Sequence, residues 1–250
     1  MRRLARTLLL LALWLGALPA FAQQITVAAA TSLGEALREI GPLFEAARPG
    51  ATLRLEFAAS GVLLQQLEHG AAVDVFISAD EDTLARGIQR KLLDADSRRV
   101  VAANTLVLIR PLHGAPALLT LLDLQRAEVR RIAVGKPASV PAGRYTQQTL
   151  VAARLWESLR AKIVLADNVR EVLDDVASGE AEAGFVYASE AALRPDQVQV
   201  VLTVGGHVPI RYPAAVVTAS RQKALAREFI AFLATPPAQA VLARRGFIAP

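Results

Sequence analysis

Ile25-Thr-Val-Ala-Ala-Ala-Thr-Ser-Leu-Gly-Glu35 reads as a short apolar strand that runs straight into a helix. Ser32 stands where an N-cap belongs, and Glu35 three residues later completes the spacing of a capping box. A strand ending at a helix N-terminus leaves backbone N–H groups pointing outward with partial positive charge, which suits an anion. The fold turns on whether this unit repeats, and it does. Strand-like apolar runs recur at 53–57, 73–78, 105–109, 131–134, 162–165, 184–187, 198–204 and 214–218. Between most of them the apolar positions switch to helical spacing. Leu33, Leu37, Ile40, Leu43 and Phe44 form one such stripe, and Leu63, Leu64 and Leu67 form a second ahead of Gly70. Val169, Val172, Leu173 and Val176 form a third ahead of Gly179. The chain ends in helical patterns at 224–233 and 238–242, separated by Thr235-Pro-Pro.

Alternating strands and helices predict an α/β fold, with mainly parallel sheets covered by helices on both faces. No repeat, low-complexity tract or long linker divides the chain. Two lobes without a linker imply that the chain crosses between them more than once, and the extended runs at 104–110 and 209–217 are the candidate crossovers. The expected division is 23–103 plus 213–250 for the first lobe and 104–212 for the second. One continuous doubly wound sheet is the alternative, since length alone does not set domain number.

Residues 1–22 read as a secretory signal peptide. Arg2, Arg3 and Arg6 form the basic region, 8–18 the apolar region, and Ala20-Phe-Ala22 the cleavage site. The apolar run is too short for a spanning helix. The sequence contains no cysteine, which excludes disulfides, thiolate metal sites, a cysteine nucleophile and a lipid-bearing cysteine anchor. A soluble protein exported to the periplasm is expected. Removing three arginines takes the formal charge from +5 to +2, and the basic residues are scattered, so no nucleic-acid partner is expected.

Five junctions place a neutral donor at a strand's carboxyl end: Ser32, Ser60 after Phe57-Ala-Ala, Val140-Pro-Ala-Gly143, Asn168 with Glu171, and Tyr187 ending Gly184-Phe-Val. Ordinary capping explains any one of them. All five lie where open α/β sheets bind ligands, at strand carboxyl ends. Catalytic arrangements are missing by comparison. His69, His113 and His207 each sit at a turn, no G-x-S-x-G elbow, P-loop or G-x-G-x-x-G is present, and Asp80-Glu-Asp82 and Asp174-Asp175 read as a helix start and a helix surface. A secreted hydrolase is therefore the disfavoured alternative. A ferric-ion site would need several hard ligands, and Tyr145 and Tyr212 read as structural surface residues.

The motifs Thr26-Val-Ala-Ala-Ala-Thr-Ser-Leu33, Phe57-Ala-Ala-Ser60, Asp74-Val-Phe-Ile-Ser-Ala-Asp80, Ala133-Val-Gly-Lys-Pro137 with Val140-Pro-Ala-Gly143, Gly184-Phe-Val-Tyr187 and Tyr212-Pro-Ala-Ala-Val-Val217 resemble, in order, the periplasmic molybdate-binding proteins of ABC importers. The resemblance spans residues 23–250. It implies a two-lobed periplasmic binding protein fold of type II, with the ligand in the cleft between lobes. It also implies a ligand, molybdate or tungstate, held without direct metal coordination by the hydroxyls of Ser32, Ser60 and Tyr187 and the backbone amides of Ala142 and Val169. No cofactor is implied, the partner is the membrane permease of an importer, and a monomer is expected. Sulfate or phosphate is the alternative ligand, because helix N-termini suit any tetrahedral dianion. Two positions depart from the family pattern. Gly61 stands where relatives often carry another hydroxyl, and Lys136 stands where an acid is common and is expected to add positive potential near the cleft.

Overall fold

A computed structural model describes residues 23–250 of the chain; the signal-peptide reading of 1–22 lies outside the described residues. The strands are β1 (Gln23–Ala30), β2 (Ala51–Ala58), β3 (Val75–Ile77), β4 (Arg99–Asn104), β5 (Leu106–Pro111), β6 (Ile132–Gly135), β7 (Ile163–Ala166), β8 (Ala183–Tyr187), β9 (Val198–Val204) and β10 (Ile210–Val216). The helices are α1 (Gly34–Ala47), α2 (Ser60–Glu68), α3 (Glu81–Gln89), α4 (Pro141–Ala152), α5 (Trp156–Leu159), α6 (Val169–Ala177), α7 (Ala188–Ala191), α8 (Lys223–Phe232) and α9 (Pro236–Arg244).

The strands form two five-stranded sheets, ordered β2-β1-β3-β10-β4 and β7-β6-β8-β5-β9. β1 shows why helices cover both faces. Its side chains alternate, so Ile25, Val27 and Ala29 pack with Leu37, Ile40 and Phe44 of α1, while Ala28 joins Leu63, Leu64 and Leu67 of α2 in a separate cluster.

Each sheet is parallel except for one strand. β10 runs antiparallel to both its neighbours in the first sheet, and β5 does so in the second. These are the two strands that follow a passage between sheets. The chain leaves β4 at Asn104, passes through Thr105 and enters β5 at Leu106; it returns from β9 to β10 through 205–209. A strand entered from the end where its parallel neighbours finish must run the other way. The carboxyl ends of the parallel strands in both sheets therefore face the region where the sheets adjoin.

Two sequence expectations shift. The strand expected at 105–109 is β5, and a further strand just before it, β4, was not anticipated. Residues 210–212, expected on the second lobe, pair with β4 in the first sheet, Ile210 opposite Asn104 and Tyr212 opposite Ala102.

Candidate functional site

Five strand ends deliver the site. After β1 the chain makes a 3-10 turn, Thr31–Leu33, before α1 begins at Gly34. Ser32 is therefore not the N-cap of α1, and the capping box is not formed: Glu35 accepts from Arg38 (2.7 Å) and Ser32 Oγ lies 3.0 Å from Tyr212 Oη. The Ser32 hydroxyl makes no cap hydrogen bond to either helix start. Ser60 is likewise the first residue of α2 and not its cap, which is Ala59. Its Oγ accepts the N–H of Ala79 (3.0 Å). With that lone pair occupied, the Ser60 proton remains to be given.

At α4 the sequence leaves a single backbone donor. Pro141, at the first helical position, has no N–H, and Gly143 and Arg144 both donate back to Val140 O (3.0 and 3.2 Å), which leaves the N–H of Ala142. The helix sits tightly on β6: a Cβ on Gly143 would come 1.8 Å from Gly135 O, so only glycine permits this approach. At α6 Asn168 is the cap, accepting from Arg170 and Glu171 N–H (2.9 and 3.1 Å), and the Val172 N–H returns to Asn168 O (3.4 Å). The N–H of Val169 is again the one left over. Tyr187 ends β8, is buried, and its hydroxyl has no partner among the described residues. An orphaned buried hydroxyl calls for a ligand or a penalty.

Ser32, Ser60, Ala142, Val169 and Tyr187 all line one pocket, together with Thr31, Ala79 and Asn168. The cavity between its walls is about 10 Å³, far below the ~300–1,000 Å³ typical for drug-sized organic ligands. Among the described residues no Lys, Arg, His, Asp or Glu lines it. Among the described residues no cluster of three or more His, Cys, Asp or Glu could hold a metal ion. A larger groove lies at the far ends of β1 and β3, but its carboxylate, Asp74, is already committed to Thr26 N–H (2.8 Å) and the Ser220 hydroxyl (2.6 Å).

Side chains the sequence reading set aside surround the pocket. Tyr145 and Tyr212 are not surface residues; they are 3% and 0% exposed. Tyr145 Oη donates to Ala79 O (3.2 Å), joining α4 to the end of β3. Beside it Arg144 reaches Asp80 and Thr83 Oγ1 (2.8 Å), a largely buried ion pair between the two sheets' helices. Gly61 N–H donates to Ser139 O (2.9 Å), and a Cβ at Gly61 would stand 2.7 Å from that oxygen. The departure at Gly61 thus serves close approach. Lys136 pairs with Asp167, which also raises its pKa, and Lys136 is not among the residues that line the pocket. His207 packs on the Tyr145 ring, at 5.5 Å between centroids, while His69 and His113 are exposed. Burial pushes the phenols of Tyr187, Tyr145 and Tyr212 well above their ordinary range; hydrogen bonds with Ser32 and Asn104 pull Tyr212 partly back. All three keep their protons at neutral pH.

The pocket presents hydroxyl and amide protons from both sheets, with no charged group. Such a site can hold a small, fully deprotonated anion. Residues 25–248 match the family model described as bacterial extracellular solute-binding protein. The chain is 34% identical over 230 residues to the molybdate-binding protein ModA of Escherichia coli, covering 90% of this chain and 88% of that one. It is 31% identical over 233 residues to ModA of Haemophilus influenzae, covering 90% of each. The periplasmic molybdate-binding protein of Azotobacter vinelandii superposes with a TM-score of 0.76 at 26% identity, over 90% of this chain and 99% of that chain.

Proposed function

The chain belongs to the bacterial extracellular solute-binding protein family, which binds solutes for transport and is not catalytic, and from that premise we propose that it captures molybdate, and tungstate with it, for a membrane ABC importer. One observation carries the reading: five neutral donors, Ser32, Ser60, Ala142, Val169 and Tyr187, converge from both sheets on one small pocket. We take these five as the ligands of the oxyanion, with no direct bond to molybdenum. The relatives named for molybdate support the choice of anion.

The two sheets are the cores of two lobes, and the Asn104–Leu106 and 205–209 passages are the hinge between them. Closure removes the ion from water, and fixed dipoles replace its hydration shell without reorganising. Neutral donors have a physical advantage here. A buried counter-charge would bear a large desolvation cost, and helix ends supply favourable potential without it. The pocket also discriminates: it offers the O–H of a protonated oxyanion such as hydrogen phosphate no carboxylate acceptor, and a hydroxyl that turns to accept that proton no longer donates to the anion. The protein acts in the periplasm as a monomer, after loss of residues 1–22, and hands the ion to the importer's permease.

Calorimetric titration with molybdate, tungstate, sulfate and phosphate tests the assignment. Tight binding of the first two is expected. Tight sulfate or phosphate binding with none for molybdate would overturn the choice of anion.

A further inference from the structure

Among the described residues Ser32 is the one pocket hydroxyl whose oxygen is met by another side chain, and that contact has a direction. Asn104 fixes it. The N–H of Thr105 can only donate, and it lies 2.9 Å from Asn104 Oδ1. The amide's nitrogen therefore faces the other way, donating to Ser189 Oγ (2.8 Å) and to Tyr212 Oη (3.4 Å). Of the two groups that meet Tyr212 Oη among the described residues, the Asn104 amide nitrogen cannot accept, so the buried phenol proton goes to Ser32 Oγ, 3.0 Å away. Ser32 Oγ then accepts, and its proton is left for the pocket. The opposite polarity would have Ser32 donate to Tyr212 and offer the pocket a lone pair, which repels an anion.

We infer that Tyr212 and Asn104 form a positioning relay that points the Ser32 proton into the pocket, running from the hinge to the ligand. This rests on the reading of Ser32 as an anion donor. The relay starts where the chain passes between sheets: Asn104 ends β4, Ser189 lies on α7 beside the second sheet, and Tyr212 lies on β10 in the first. It holds both sides at once, so the hydroxyl is oriented in the arrangement in which the sheets adjoin. All four side chains are buried, with Tyr212 0% exposed, so water does not compete for these bonds.

A double-mutant cycle on the full protein tests the relay, using sodium molybdate in calorimetric titration and urea unfolding in parallel. Tyr212→Phe keeps the ring packed against Tyr187 and Phe247 and removes only the hydroxyl. It is expected to weaken molybdate about three- to tenfold, the scale of freeing one ordered side chain. In a Ser32→Ala background the same substitution is expected to change affinity less than twofold, because no proton remains to orient. Asn104→Ala, run through the same cycle, is expected to behave alike and carries the test should Tyr212→Phe lose its fold. A loss that persists in full without the Ser32 hydroxyl would mark a purely structural role and overturn the relay, as would a Tyr212→Phe protein that binds like the parent. If Ser32→Ala itself binds like the parent, the reading of Ser32 as a ligand fails, a separate outcome.

Discussion

Tyr187→Phe separates binding from folding more cleanly than any other change in this pocket. The tyrosine is 1% exposed, its ring stands edge-on to Tyr212 at 5.8 Å between centroids, and its hydroxyl has no partner among the described residues. Removing that oxygen breaks no hydrogen bond within the protein and keeps the ring. A hydrogen bond to a charged group contributes about 1.5–3 kcal/mol, so molybdate should bind roughly tenfold to 150-fold more weakly. Stability without ligand should move the other way or hold, since an unsatisfied buried hydroxyl costs about 1–3 kcal/mol where water does not reach it. Titration calorimetry gives the first quantity and urea unfolding of ligand-free protein the second. Unchanged affinity would refute Tyr187 as a donor. A stability loss above about 1 kcal/mol would show that the hydroxyl has a structural partner, since only truncations that remove real interactions reach that size.

Arg144→Met leaves Asp80 buried without its cation, a penalty borne when the sheets adjoin; molybdate should leave at least about tenfold faster in stopped-flow release. Gly61→Ala sets a methyl 2.7 Å from Ser139 O, and overpacking of that kind costs about 1–3 kcal/mol, so affinity should fall about fivefold or more while urea midpoints hold. With no charged side chain in the pocket and the phenols held neutral by burial, affinity should stay flat between about pH 6.5 and 8.5; a tenfold change across it would reveal a titrating ligand. Burial raises the carboxyl pKa of Glu190 despite its bond from Arg170 Nε (2.7 Å). The folded state then holds that proton more tightly than the unfolded one, so the group's stabilising contribution is full below the ordinary carboxylate range and is lost as pH rises through the raised value. Glu190→Gln should remove that decline, seen as a flatter urea midpoint against pH from acid to neutral.

Local chemistry marked the strand-to-helix junctions, and Pro141 and Asn168 do at α4 and α6 what their types suggest. The amides of Ala142 and Val169 have no side-chain signature; the family resemblance alone pointed to them, and the structure shows why each is its helix's spare donor. Ser32 and Ser60 stand at the pocket for a different reason from the one their spacing suggested, since neither caps. What escaped the sequence was long-range. Ser32 meets Tyr212 across 180 positions and Asn104 meets it across 108, while Arg144 meets Asp80 across 64. Burial of Tyr145 and Tyr212 follows from the same passages between sheets, because only strand direction, invisible in composition, brings β10 beside β3.

The late return of β10 also sets an order for assembly. Every strand of the second sheet lies between Leu106 and Val204, an unbroken piece that can pair as soon as it is available. The first sheet has no such freedom. Until Ile210–Val216 arrives, β3 presents Val75-Phe-Ile77, wholly buried in the finished molecule, as an unpaired apolar edge. A chain truncated before 210, or stalled there during synthesis or export, is thus an aggregation hazard centred on three residues. The strand whose Tyr212 meets Ser32 behind the pocket is the same one that makes the chain safe to release.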